Sequence, residues 1–181
     1  MHLTFKVSST ADMLPPDREL AQAAGRGVSN AVKRHLVERD RRSVPAPGMP
    51  RTGYYGDAAN SVTTEMNGSV SIVTIHKEGV ALHYYGGVVY PTSGHKALAI
   101  PQVPAAAGRR PAEIDPSRQQ FALVWPKGST AGTLRDKETN DVWYLLVAKA
   151  AIPADQTVLP TESAMTDAAN AAIGRALEHM T

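Results

Sequence analysis

Val62-Thr63-Thr64-Glu65-Met66-Asn67-Gly68-Ser69-Val70-Ser71-Ile72-Val73-Thr74-Ile75 decides the fold class. Apolar and β-branched residues flank Asn67-Gly68 on both sides. Asn-Gly between such runs marks a two-residue type I′ turn, whose positive φ angles suit these two residues. The stretch therefore reads as an antiparallel hairpin. In its second arm Val70, Ile72 and Thr74 alternate with Ser71, Val73 and Ile75, which predicts one face in the core and the other partly covered.

Working back from the hairpin, Ser43 to Tyr55 is dense in proline and glycine, which excludes a helix or a central strand. It reads as a long loop carrying Arg51, Tyr54 and Tyr55. Before it, Leu20, Ala24, Val28, Ala31, Val32 and Leu36 form one helical stripe between Asp17 and about Arg39. Pro15-Pro16-Asp17 suits the start of that helix. Gly25 and Gly27 weaken it by roughly 1 kcal/mol each relative to alanine, or else permit close packing. Leu3–Ser8 alternates with period two and reads as a first strand, joined to the helix by a connector over Ser9–Pro16.

Working forward, Val80 to Pro101 holds the one Gly-Gly pair, Gly86-Gly87. It reads as a short apolar turn or helix ending in His83-Tyr84-Tyr85, a glycine break, a strand, a Thr92-Ser93-Gly94-His95 turn and a strand closed by proline. Pro104 to Ser117 is a second loop and contains Arg109-Arg110. Phe121–Trp125 is a strand, and Val142–Ala148 is the longest apolar run, expected to be central. Ile152-Pro153-Ala154 breaks it. A closing helix presents Met165, Ala168, Ala169, Ala172, Ile173, Ala176, Leu177 and Met180. No strand–helix–strand alternation is visible. The expectation is therefore an α+β fold, a mostly antiparallel sheet of five to seven strands packed by an N-terminal amphipathic helix and a C-terminal helix. It is expected as a single domain over residues 1–181, with long loops at 43–56 and 104–118.

The 181 residues are 43% hydrophobic and 20% charged, which suits a soluble domain with a sizeable core. Net charge is +2, too small to argue for nucleic acid by itself. The cations cluster, however, in Lys33-Arg34-His35, Arg39, Arg41, Arg42 and Arg51, and again in Arg109-Arg110. With no cysteine, disulfides and thiolate metal sites are excluded. The first residues suit neither a signal peptide nor a membrane span, so a cytoplasmic or particle-borne protein is expected.

Catalytic and cofactor motifs are absent. His76, His83 and His95 have no metal-ligand spacing and no His-Glu-x-x-His pattern. His83, beside two tyrosines, reads as a packed histidine bonded to backbone. There is no Gly-x-Ser-x-Gly elbow, no phosphate-binding glycine loop and no evident carboxylate pair. No enzyme, metal or cofactor is expected. Two alternatives stay open: a nucleic-acid-binding accessory protein using the basic clusters with Tyr54-Tyr55, and a small hydrolase centred on His83 or His95.

A series of short motifs falls in a recognisable order. Arg51-Thr52-Gly53 and Ala58-Ala59-Asn60-Ser61 precede the hairpin. Val80-Ala81-Leu82-His83-Tyr84-Tyr85-Gly86-Gly87 follows it, then Lys96-Ala97-Leu98-Ala99-Ile100-Pro101. Tyr144-Leu145-Leu146-Val147 and Ile152-Pro153-Ala154 come late. From Asp17 onward this order resembles the virion-morphogenesis and tail-completion proteins of tailed bacteriophages and prophages, the family that includes the Mu G protein. The middle from Ala105 to Asp141 reads as insertion-like. The family pattern continues Ile-Pro-Ala with Arg-Pro-Phe-Leu, where this chain has Asp155-Gln156-Thr157-Val158-Leu159.

The resemblance implies a structural protein of the tail or head–tail junction. It would work through contacts with other tail or connector proteins and form a homo-oligomer, in the virion or in the host cytoplasm during assembly. On that reading Arg51, Tyr54, Tyr55, His83, Tyr84, Tyr85, Gly86, Gly87, Arg109 and Arg110 are candidate interface positions, with no membrane partner and no nucleic acid.

Overall fold

The structure, a computed structural model, describes residues 3–8, 17–92 and 94–180. The connector Ser9–Pro16, with the proline helix start, and Ser93 of the expected turn lie outside the described residues. In chain order the elements are β1 (Leu3–Ser8), α1 (Asp17–Arg42), α2 (Tyr54–Asn60), β2 (Val62–Asn67), β3 (Val70–Ile75), α3 (Val80–Tyr85), β4 (Gly87–Val89) and β5 (Leu98–Pro101). They continue with α4 (Pro111–Ile114), β6 (Phe121–Val124), β7 (Ala131–Asp136), β8 (Val142–Val147), β9 (Ala150–Ile152) and α5 (Glu162–Glu178). Every strand pairing is antiparallel. With a long N-terminal helix and a C-terminal helix beside these sheets, the fold is α+β, as the hairpin signal predicts.

Length alone suggests one domain. The chain forms two compact units, each discontinuous in sequence: unit 1 is Met1–Arg42, Gly53–Gly86 and Pro153–Thr181, and unit 2 is Ser43–Thr52 and Gly87–Ile152. The expected single sheet of five to seven strands is three separate sheets, ordered β1-β3-β2, β4-β9 and β5-β8-β7-β6. The physical reason is range. Asn67-Gly68 specifies the β2–β3 pairing locally, whereas β5–β8 and β4–β9 join strands far apart in sequence, and no local signal names the partner.

In unit 1 the three-stranded sheet carries α1 on one face. The buried side of β3 is Ser71, Val73 and Ile75; Val73 and Ile75 share one apolar core with Val32 and Leu36, both fully buried. Each such side chain contributes about 1.5–3 kcal/mol through removal from water. Val80, Ala81, Val158 and Leu159 complete the core. Helix α5 starts where the Thr161 hydroxyl accepts the Ala164 N–H at 3.2 Å, a side-chain cap.

Two glycines in α1 set how closely it is packed. A Cβ on Gly25 would lie 1.8 Å from Ser71 Oγ, and one on Gly27 would lie 2.3 Å from the Ala168 carbonyl oxygen of α5. Of the two readings of the Gly25-Arg26-Gly27 run, close packing is the one observed: sheet on one side, helix on the other.

In unit 2, β8 is interior, as its apolar run predicts, and β5 and β6 are the edges. Tyr144 of β8 is fully buried, and its hydroxyl donates to the Arg109 carbonyl at 3.0 Å. This fastens the 104–118 segment over one face of the sheet. That segment is not the plain loop expected. It holds a 3-10 turn at Pro104–Ala106 and the short α4, each opening on a proline, a residue tolerated in a first turn because its missing N–H is not needed there.

Candidate functional site

Among the described residues, chemically capable side chains gather in both units. In unit 1, the C-terminal end of α1 meets α2, α3 and the turn after Pro153. Tyr54 and Tyr55 lie on α2, not in a loop as expected. The missing signal is a cap from outside the segment: Asp40 Oδ1 accepts the Tyr55 N–H at 3.0 Å and starts the helix. The Tyr54 and Tyr55 rings meet edge-on at 5.1 Å, with the His83 ring 5.3 Å from Tyr54 and 6.2 Å from Tyr55. His83 is thus packed between tyrosines, and its backbone carbonyl accepts the Asp155 N–H at 2.9 Å.

Arg39 ties this node together. Its guanidinium stands 4.9 Å from the Tyr55 ring centre, donates to the Thr157 carbonyl at 3.0 Å and pairs with the Asp155 carboxylate. His35 Nε2 reaches the same carbonyl at 2.9 Å. The Thr157 hydroxyl, opposed by partial desolvation and helped by the Thr157 N–H and Arg39, holds the Asp155 carboxyl below its ordinary range. Desolvation, with the Tyr55 hydroxyl nearby, pushes the Tyr54 hydroxyl up to about 12. The Tyr54 hydroxyl donates to the Glu78 carbonyl at 2.8 Å. Most polar groups of this node bond to one another, Arg39 Nε being buried without a hydrogen-bond partner among the described residues, and the node ties four segments of chain together. Arg41 and Arg42 are engaged with Glu38 on the same helix, which makes the basic end of α1 largely a solvated helix terminus.

In unit 2, a groove of about 720 Å³ lies between the sheet and the α4 segment. Its floor is apolar, from Leu123 and Phe121 of β6, Leu134 of β7 and Leu146 of β8. The registers place Leu123 opposite Leu134 and Leu134 opposite Tyr144, so these side chains share one face of the sheet. Its walls carry Lys96, Arg109, Arg110 and Arg118, with Asp115 the one carboxylate. Asp115 is occupied. Its Oδ1 accepts from Gln119 N at 2.9 Å and Ser117 Oγ at 3.1 Å, and its Oδ2 from Gln120 N at 2.9 Å and Phe121 N at 3.1 Å. Burial works to raise its pKa, and these bonds outweigh burial, so the carboxyl lies below its ordinary range. Among the described residues no carboxylate pairs with the four cations.

The predicted positions divide between these clusters. Tyr54, Tyr55 and His83 come together in unit 1. Tyr84 is half-buried there with its ring edge-on to Tyr85, which is exposed. Gly86 has φ 72°, a value only glycine adopts without strain, and ends α3. Gly87 opens β4. Arg109 and Arg110 wall the groove, while Arg51 is exposed on unit 2. His83 belongs to unit 1 and His95, also on the groove, to unit 2. Sequence reasoning placed Arg39 only in the basic cluster of α1 and gave no site role to Asp155, Lys96 or Arg118. Among the described residues no group of three or more His, Cys, Asp or Glu could hold a metal ion, and no helix is long and apolar enough to cross a membrane. Comparison with protein-family models, curated proteins and solved structures gives no match.

Proposed function

We propose that this chain is a non-enzymatic structural or assembly protein of a tailed bacteriophage or prophage, placed at the tail or head–tail junction and working through protein–protein contacts as a ring of like subunits. The ordered motif series supports the family. The observation that carries the mode of action is the unpaired edge of β6, where Val124, 42% exposed, faces the side of the sheet opposite Leu123. An unpaired edge bearing an exposed apolar side chain is a template for another chain. A strand added there pairs backbone groups and buries Val124. In a ring each subunit offers that edge to a different face of its neighbour.

The test is mass by light scattering over a range of concentrations, on the wild-type chain and on Val124→Asp. The expected result is a discrete oligomer, or reversible growth toward one, that Val124→Asp shifts toward the monomer. A chain that stays monomeric throughout and binds no head or tail component refutes the proposal.

A further inference from the structure

We infer that the unit 2 groove binds an extended acidic segment of a second protein, one in which carboxylates alternate with apolar side chains. The inference rests on the reading of the chain as a protein–protein assembly component and names the partner's chemistry.

Three observations specify that occupant. First, positive charge is in excess. Asp115 offsets one cation at most, and among the described residues none of Lys96, Arg109, Arg110 and Arg118 forms an ion pair, so the surplus is open to an external anion. Second, the backbone that carries two of the cations is held. The Arg109 carbonyl accepts from the Tyr144 hydroxyl at 3.0 Å. Arg118 has φ 56° and donates its N–H to the Asp115 carbonyl at 3.1 Å, inside the turn that the Asp115 carboxylate organises. A held backbone limits the loop ordering that binding costs. Third, the floor is apolar and crosses the sheet from the edge strand β6 through β7 to β8. An extended peptide places successive side chains on opposite sides, so alternate residues reach the Leu123–Leu134–Leu146 floor and those between face away from it, toward the cationic walls.

A nucleic acid satisfies the cations and leaves the floor unused, because bases call for flat aromatic platforms. The one aromatic in the floor, Phe121, is itself packed 5.3 Å from Trp143. A second copy of this chain is a poor occupant too. Its one stretch with acidic residues either side of an apolar one near this groove, Glu113-Ile114-Asp115, is already part of the wall.

The probe is a short soluble peptide alternating leucine with glutamate, titrated into the full chain. Both tryptophans, Trp125 and Trp143, lie in unit 2 and report binding by fluorescence. The peptide is expected to bind with an affinity that falls as salt rises. The exposed double variant Lys96→Glu/Arg110→Glu is expected to weaken it about tenfold or more, and Leu123→Ser to weaken it severalfold without steepening the salt dependence. A peptide with serine in place of leucine, or lysine in place of glutamate, is expected to bind at least about tenfold more weakly. Absence of binding at low salt, or equal binding of the serine–glutamate peptide, overturns the inference. Tighter binding of an oligothymidylate than of the leucine–glutamate peptide overturns it and assigns the groove to nucleic acid. A chain that assembles by light scattering and ignores the peptide refutes the groove's role alone, whereas a chain that neither assembles nor engages a partner refutes the assembly reading.

Discussion

Replacing Gly25 with alanine tests how α1 is seated. In an isolated helix the change stabilises by about 1 kcal/mol, because alanine loses less backbone entropy. Here the new Cβ arrives 1.8 Å from Ser71 Oγ, 2.6 Å from Ser71 Cβ and 3.1 Å from Thr64 Cγ2. A serine rotamer change relieves the first contact and not the second, since both Cβ positions are set by backbone. The helix must move off the sheet. Overpacking of this kind costs about 1–3 kcal/mol, and with two backbone-fixed atoms in conflict the upper end applies. The expected net loss is about 2 kcal/mol, or roughly 4–8 °C in Tm for a chain of this size.

Thermal unfolding followed by far-ultraviolet circular dichroism reads it. Gly174→Ala in α5 is the control, because nothing lies within 4 Å of a Cβ there. It should raise stability by about 1 kcal/mol. Gly25→Ala combined with Ser71→Gly should lose less than the two single changes added together, by at least about 1 kcal/mol. If Gly25→Ala stabilises as Gly174→Ala does, α1 does not pack on β3 as described.

The remaining predictions concern titration and a buried hydroxyl. Tyr54 is raised from 10.0 to about 12, so its contribution is full below pH 10 and is lost as pH rises toward 12; a spectrophotometric titration should show a late tyrosine step that Tyr54→Phe removes. Asp115 is lowered from 3.8, so its contribution is present at neutral pH and is lost as pH falls below about 4; Asp115→Asn should lower the stability of unit 2 at neutral pH and flatten its acid dependence, read by tryptophan fluorescence. Ser71→Ala should stabilise by about 1 kcal/mol, because Ser71 Oγ is buried without a hydrogen-bond partner among the described residues; a destabilised variant by urea unfolding would contradict this.

The parts of the fold legible in sequence are those set by near neighbours. Asn67-Gly68 specifies its hairpin, and the 3.6-residue spacing of Val28, Val32 and Leu36 specifies the buried stripe of α1. The strand order of unit 2 was not legible, because Leu98 meets Val147, and Val124 meets Thr133, in registers that no single segment encodes. The groove was half legible. Arg109-Arg110 stood out as adjacent cations, while Lys96 and Arg118 became partners only through folding. Asp155 shows the same limit at the corner after Pro153. Its ion-pair partner, Arg39, lies 116 residues earlier on α1, so no local pattern announces the pair.

The pairing of β4 with β9 has a consequence for how unit 1 closes. Gly87 lies opposite Ile152, so the long excursion 87–152 leaves and returns one strand spacing apart. Once unit 2 has formed, the chain between α3 and the turn at Gln156–Val158 behaves as a short tether. The entropy of bringing α5 back to α1 then falls, by roughly 0.6 kcal/mol for each halving of the effective loop. The two-stranded ladder thus does for unit 1, without cysteine, what a covalent cross-link does elsewhere: it shortens the path by which the last helix finds the first.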